Sequence, residues 1–322
     1  MSPSVLDLFC GAGGFSAGFV PYSGREHMGI DNDPFAIATY SANYPHSQAI
    51  LDDVSRLHSQ VIRSRFGKSP EIVIASPPCE EFSMANPDSV SRVSERVYGT
   101  GSARLLLDTI RLIGDLSPAV FVIENVAALM RSGGRDIVIQ ELERVGISDV
   151  HFNLIRAHLH GNPSKRLRLF MSNRRLTLPR FRAPCVMDVI GDLPSLGIEA
   201  ILSPGDAVPN HETQPLSLEN LKQVSRARHG RGTKRFRTGN RDFPNWVRLA
   251  PDKVSTSING LSRYIHPYEN RLLTVREHAR LMSYDDSFVF AGPTVSQYNQ
   301  VGESVPPLIS RLIAQEVVRN LE

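Results

Sequence analysis

Short apolar runs alternate with amphipathic stretches through the first half of the chain. VLDLF at 5–9, HMGID at 27–31, IVIAS at 72–76 and VFVIEN at 120–125 end in small or polar residues, which predicts buried strands. Between them, 33–43, 55–66 and 103–116 carry helical spacing; in the last, Leu105, Leu106, Ile110 and Ile113 share a face. Strands alternating with helices predict an α/β fold, a doubly wound and mostly parallel sheet. Such sheets bind ligands beyond the carboxyl ends of their strands. After residue 150, HFNLIRAHL and RLRLFMSN predict two more strands of that sheet, joined by the turn HGNPSK.

The pattern then changes. From about 174 to 247 proline, glycine, serine and arginine dominate and the periodicity fades. Phe181, Phe236, Phe243 and Trp246 still give this stretch something to bury, so a small loop-rich domain is predicted instead of disorder. RLLTVREHARLMSY at 271–284 has helical spacing, and a last helix is predicted from Leu308 to Leu321, after Pro306-Pro307. The expected organisation is a catalytic part at 1–173, a small domain at 174–250, and a segment at 251–322 that completes the catalytic part.

Composition narrows the class. A chain of 322 residues with 41% hydrophobic and 21% charged residues is ordinary for a globular protein. No apolar run is long enough to span a membrane, and no basic region precedes an apolar stretch at the N-terminus, so neither membrane insertion nor secretion is expected. Three separated cysteines, Cys10, Cys79 and Cys185, offer neither a disulfide framework nor a zinc site. No metal is expected, and a reducing, cytoplasmic setting (nucleoid-associated in a prokaryote) fits. The net charge of +3 says little, but its distribution says more. Between Lys222 and Arg248 stand nine basic residues and one acid, Asp242.

Four clusters fall at predicted strand ends. DLFCGAGG follows the first strand, and Gly11, Gly13 and Gly14 let backbone approach a ligand at a helix N-terminus. The next strand ends in Asp31, an acid suited to ribose hydroxyls. Alone these say only that a nucleotide-like cofactor, or merely a tight turn, sits there. SPPCEEFS follows IVIAS, and two prolines fix the backbone just before Cys79. A nucleophilic thiol needs a proton acceptor or a basic neighbour, whereas a lone cysteine is most often packing material. VFVIENV places Glu124 at the end of its strand, able to grip the edge of a base or simply to be solvated. NPSKRLRLF spaces Arg166 and Arg168 two apart, hence on one strand face, either solvated or facing the cysteine.

Taken together, these residues resemble the DNA (cytosine-5) methyltransferases. The ordered set is DLFCGAGG, Asp31, Asp53-Val54, SPPCEEFS, FVIENV, KRLRLF, RLLTVREHARLMSY and QYNQVGESVPP, and it spans residue 5 to about 315. The resemblance implies the fold of S-adenosylmethionine-dependent methyltransferases with a target-recognition domain near 174–250. It implies S-adenosyl-L-methionine as cofactor, with Phe9, Gly11 and Gly13 lining its site. Asp31 would take the ribose, Asp53 and Val54 the adenine edge, and Leu105 would be an apolar contact. Cys79 matches the nucleophile, Glu124 the base-binding acid, and Arg166 and Arg168 the arginines beside a flipped cytosine. Residues 80–100 match a loop that closes over DNA. Three positions depart from the family pattern: Glu80 and Ser164 stand where Gln is usual, and Glu303 where Asn is usual.

The implied chemistry is coherent. Carbon 5 of cytosine is a poor nucleophile until a thiolate adds at carbon 6, and that is the role expected of Cys79. Glu124 would stabilise charge on the ring through N3 and the exocyclic amine, and burial is expected to favour its protonated form. A stacked base is out of reach, so the cytosine must be flipped. Arg231, Lys234, Arg235 and Arg237 are the expected contacts to double-stranded DNA. A monomer is expected, with a restriction endonuclease as a conceivable partner. The rival readings are methylation of cytosine in transfer RNA, a weakly active regulatory DNA-binding homologue, and a small-molecule methyltransferase. The last does not account for Pro-Pro-Cys or the basic segment.

Overall fold

The computed structural model describes residues 2–78, 93–131, 133–196, 208–213, 215–238, 241–261, 263–319 and 321, with the side chains of 93–94, 236–238 and 241–243 left out. The chain forms two compact units. One comprises Met1–Arg156, Leu167–Pro179 and Ile309–Glu322, the other Ala157–Arg166 and Arg180–Leu308. Residues 251–308 thus cluster with the second unit, and only the final stretch returns to the first.

The first unit is built on a seven-stranded sheet. Its strands are β1 (Val5–Leu8), β2 (His27–Asp31), β3 (Gln48–Leu51), β4 (Ile72–Ala75), β5 (Val120–Asn125), β6 (His151–Arg156) and β7 (Leu167–Ser172). They lie in the order β3-β2-β1-β4-β5-β7-β6. The first five run parallel, and β7 is antiparallel to both of its neighbours. The order reverses between β1 and β4, the crevice where doubly wound sheets take ligands. β1, β4 and β5 are buried at every position, which is why they read as mostly apolar runs, broken by Asp7 in β1 and by Glu124-Asn125 at the end of β5. The edge strand β3 has two exposed and two half-buried residues, so QAIL carries no run from which a strand could be predicted.

Helices α1 (Ser16–Ser23), α2 (Pro34–Asn43), α3 (Ser59–Phe66), α4 (Val93–Val97), α5 (Leu105–Leu116) and α6 (Gly134–Arg144) belong to this unit. Asp33 starts α2 by accepting from the Phe35 amide, with Pro34 at the first helical position. In α5, Leu106, Ile110 and Ile113 are buried as the spacing predicts, together with Leu112 and Leu116. Each such side chain contributes about 1.5–3 kcal/mol of burial. Leu105, expected on the same face, is only half-buried, at the helix start.

In the second unit, α7 (Val186–Ile190), α8 (Leu218–Ser225), β8 (Gly232–Thr238), β9 (Arg241–Arg248), β10 (Tyr264–Ile265), α9 (Val275–Leu281) and α10 (Thr294–Glu303) follow in order. α11 (Pro307–Arg319) begins here and continues into the first unit. The stretch expected to be loop-rich contains an antiparallel hairpin, β8 with β9, which β10 joins in parallel. TKRFRT carries three basic residues and a single apolar one, Phe236, so no period-two apolar signal marks it. The helix expected at 271–284 is shorter. Thr274 and Glu277 form a reciprocal cap that starts it at Val275. No helix among the described residues is long and apolar enough to cross a membrane.

Candidate active site

The chain leaves β1 through a strained turn. Phe9 has φ 60°, a left-handed conformation rare for a bulky residue, and its side chain packs against the sheet core. Gly11 follows with φ 52°, and nothing lies within 4 Å of where its Cβ would project. Gly13, at φ 92°, could not carry a side chain, because a Cβ would fall 2.3 Å from the Tyr44 ring. Tyr44 Oη donates to the Gly13 carbonyl (2.9 Å), and the Cys10 amide donates to Ile30 O (3.0 Å). The backbone of 9–14 is thus pinned from one side and open at Gly11.

Asp31 ends β2 beside this turn. Its Oδ2 accepts from the Gly11 amide (2.8 Å) and its Oδ1 from the Asp33 amide (2.9 Å). Burial raises its carboxyl above the ordinary carboxylate value, while those backbone donors pull the other way. Each oxygen keeps a lone pair for a further donor. One strand over, Asp53 caps a short 3-10 turn by accepting from Ser55, next to buried Val54. Val54 and Leu106 join one apolar cluster, with Phe9 packed against it. The donor set fits an adenosyl cofactor: a carboxylate for ribose hydroxyls, an apolar wall for adenine, and a glycine backbone that permits close approach.

Across the crevice, β4 aligns Ala75 with Leu8 of β1 and with Ile123 of β5. Ser76, Pro77 and Pro78 therefore leave the sheet between the glycine turn and Glu124. Two strand spacings, about 10 Å, separate β1 from β5. Cys79 and Glu80, and most of the 80–100 loop, lie outside the described residues. Glu124 is 3% exposed, and its Oε1 is 2.8 Å from Arg168 Nε. That ion pair is a contact the sequence did not reveal. Asn125 is buried and turns its Oδ1 to the Val126 amide (2.9 Å).

The two arginines of KRLRLF do not share a strand face. β7 begins at Leu167, so Arg168 belongs to the sheet and Arg166 to the second unit. Arg166 is buried there, and its Nη1 donates to the carbonyls of Ile258 (3.0 Å) and Gly302 (2.7 Å). Ser164 is also buried, accepting from Asn162 Nδ2 (2.9 Å), whereas Glu303 is exposed at the end of α10.

The basic segment divides by environment. Arg231 and Arg235 are exposed. Lys234 instead lays its Nζ over the Trp246 ring (3.8 Å to the centroid) and donates to Asn220 Oδ1 (2.9 Å). The side chain of Arg237 lies outside the described set. Arg248, counted with the basic run in the sequence, is buried and donates to backbone carbonyls throughout its surroundings. Among the described residues no cluster of His, Cys, Asp and Glu could hold a metal ion.

One buried group went unnoticed in the sequence. Asp7, inside β1, contacts Ser16 of α1, which also meets His27 of β2 and Tyr40 of α2. Its signal was a lone acid within an otherwise apolar strand.

Comparison with known proteins agrees with this geometry. A type II methyltransferase of Haemophilus parahaemolyticus is 31% identical, over 99% of this chain and 87% of its own. A candidate type II methyltransferase of Methanocaldococcus jannaschii is 37% identical over 99% of this chain and 100% of its own. Among solved structures, a candidate DNA modification methyltransferase encoded within an E. coli prophage superposes with a TM-score of 0.77 at 22% identity, covering 98% and 99% of the two chains. Residues 4–319 match the family described as C-5 cytosine-specific DNA methylase. With the glycine turn, Asp31 and the buried Glu124 at the same end of the parallel strands, the chain belongs to that family, whose members transfer a methyl group from S-adenosylmethionine to carbon 5 of cytosine in DNA.

Proposed function

We propose that Cys79 is the nucleophile of this methyltransferase and that Glu124, backed by Arg168, holds the target cytosine. The observation that carries the reading is the strand register. The glycine turn, the Pro77-Pro78 exit and Glu124 occupy the ends of three adjacent strands, so cofactor, thiol and base-gripping acid would open on one crevice. S-adenosylmethionine, when bound, supplies an electrophilic methyl group. Phe9, Gly11, Asp31, Val54 and Leu105 would hold it, with Asp53 near the adenine edge.

The protein's own residues then divide the work. The Cys79 thiolate adds to carbon 6 of the cytosine, which makes carbon 5 electron-rich. Glu124 hydrogen-bonds the opposite edge of the ring, and Arg168 fixes the orientation of that carboxyl at 2.8 Å. Arg166 acts differently from the sequence expectation: it braces the segment preceding β7. Arg231 and Arg235, exposed on the 180–308 unit, would contact phosphates and base edges, with Lys234 supporting the ribbon through Trp246. The relatives named as type II methyltransferases support a place in a restriction-modification system, with an endonuclease of the same specificity as partner.

Bisulfite sequencing of DNA from cells expressing the chain tests this reading. Methylation at carbon 5 within a defined sequence is expected, and Cys79→Ala should abolish it without loss of cofactor binding. Persistent methylation by Cys79→Ala would overturn the proposed role of the thiol.

A further inference from the structure

Beneath the glycine turn lies a polar network that the methyl-transfer chemistry does not use. Asp7, Ser16, Ser23 and His27 are each 0% exposed, as is Tyr40. Ser16 Oγ sits 2.6 Å from Asp7 Oδ2, 2.8 Å from His27 Nε2 and 3.0 Å from Tyr40 Oη. His27 Nδ1 is 2.8 Å from Ser23 Oγ, which lies 3.0 Å from the Phe19 carbonyl. The Asp7–Ser16 contact closes the loop that carries Phe9 to Gly14, because its two ends are β1 and the first residue of α1.

Counting protons decides the state of this clasp. Ser16 has one proton and three polar neighbours. If Asp7 is neutral, its own proton goes to Ser16 Oγ, that of Ser16 to His27 Nε2, that of His27 Nδ1 to Ser23, and that of Ser23 to the Phe19 carbonyl. Tyr40 donates to Ser16. Every donor then has one acceptor. If Asp7 is ionised, Ser16 must turn to the carboxylate, His27 must change tautomer, and Ser23 must leave the Phe19 carbonyl. Asp7 Oδ1 makes no hydrogen bond among the described residues, so an ionised carboxyl would depend for its donors on the hydroxyl and backbone amide of Ser16, both of which oppose the effect of burial.

We infer that Asp7 works as a neutral carboxylic acid, a positioning residue that clasps the cofactor turn from below through Ser16. The inference rests on reading the turn as the cofactor site. The groups facing Asp7 agree with it. Burial pushes the Asp7 carboxyl up to about 8 and His27 down to about 3, and raises Cys10 and Tyr40 well above their ordinary values. Nearby Asp31 adds to the upward push on Asp7. One carboxyl is thereby kept uncharged close to another whose anionic form is needed for the ribose.

The test is calorimetric binding of S-adenosylhomocysteine between pH 6 and 9, with wild type, Asp7→Asn, Ser16→Ala and Asp31→Ala. Wild-type affinity should hold to pH 7 and fall about tenfold between pH 7 and 9 as the clasp ionises. Asp7→Asn, a permanent neutral analogue, should bind within about threefold of wild type at pH 7, less than 1 kcal/mol, and lose that pH dependence. Ser16→Ala should bind more weakly at every pH. The inference is overturned if Asp7→Asn keeps the wild-type pH profile, or if it loses binding at pH 7 while remaining folded by circular dichroism. If Asp31→Ala binds as well as wild type, the reading of the turn itself fails, and the clasp's role with it.

Discussion

Replacing Arg248 by alanine should destabilise the second unit severely without touching the chemistry. Its guanidinium donates to the carbonyls of Val224 (2.8 Å), Ala227 (3.0 Å), His266 (2.8 Å), Pro267 (3.3 Å) and Glu269 (3.1 Å), and to Asn270 Oδ1 (2.8 Å). Among the described residues no carboxylate pairs with it, and burial lowers its proton affinity below the ordinary arginine value. Arginine nevertheless remains charged. The side chain therefore gathers the end of α8 and the turn after β10 around one cation at the end of β9. Alanine would strand five close acceptors. At the low end of about 1 kcal/mol each, with water refilling part of the hole, the loss is about 4 kcal/mol. For a unit of about 140 residues this lowers Tm by roughly 8–16 °C. Differential scanning calorimetry reads it directly, and exposed Arg235→Ala serves as control, with a change expected within about 0.5 kcal/mol. An Arg248→Ala midpoint within 2 °C of the control, by roughly 0.5–1 kcal/mol, would refute the assignment of Arg248 as a structural hub.

Three further outcomes follow from the same physics. Glu124→Gln should slow methyl transfer by about 10²–10³ while leaving cofactor affinity unchanged, since only stabilisation of the attacked ring is lost; single-turnover kinetics measure it, and a normal rate removes the role. Replacing Arg231 and Arg235 together by alanine should reduce the salt slope of DNA binding by about 2, roughly 0.9 per lost phosphate contact; an unchanged slope moves the contact elsewhere. The buried network also sets a pH window for stability. His27 titrates at about 3 when folded, so its contribution is present above about 6.5, the unfolded value, and is lost as pH falls toward 3. Asp7 has the opposite sign: its stabilisation is full below 3.8, the unfolded value, and is lost as pH rises to about 8. Each amounts at most to about 5–6 kcal/mol. Asp7→Asn should therefore gain on wild type in thermal midpoint as pH rises from 4 to 8, and an offset that does not grow with pH would contradict this.

Much was legible in the sequence because it is local. β1, β4 and β5 are buried on both faces, and a strand buried on both faces is written mostly in apolar residues, so the few polar ones, Asp7 and Glu124-Asn125, stand out. The glycines before α1 and the acid ending β2 mark a tight turn open to a nucleotide-like ligand, and the family resemblance, not spacing, named the cofactor. What the sequence could not express is which polar atoms meet across the fold. Arg248 and Arg231 are the same letter in one basic run, yet one is buried among carbonyls and the other faces solvent. Arg166 and Arg168 are two residues apart, but β7 starts between them and sends them to different units. Edge strand β3 and the β8–β9 hairpin lack an apolar rhythm because their partners, not their own side chains, satisfy them. The state of Asp7 depends on Ser16, His27 and Tyr40, from three other elements. Periodicity reports how much of a residue is covered; only tertiary structure decides by what, and for a buried charge that is the larger energy.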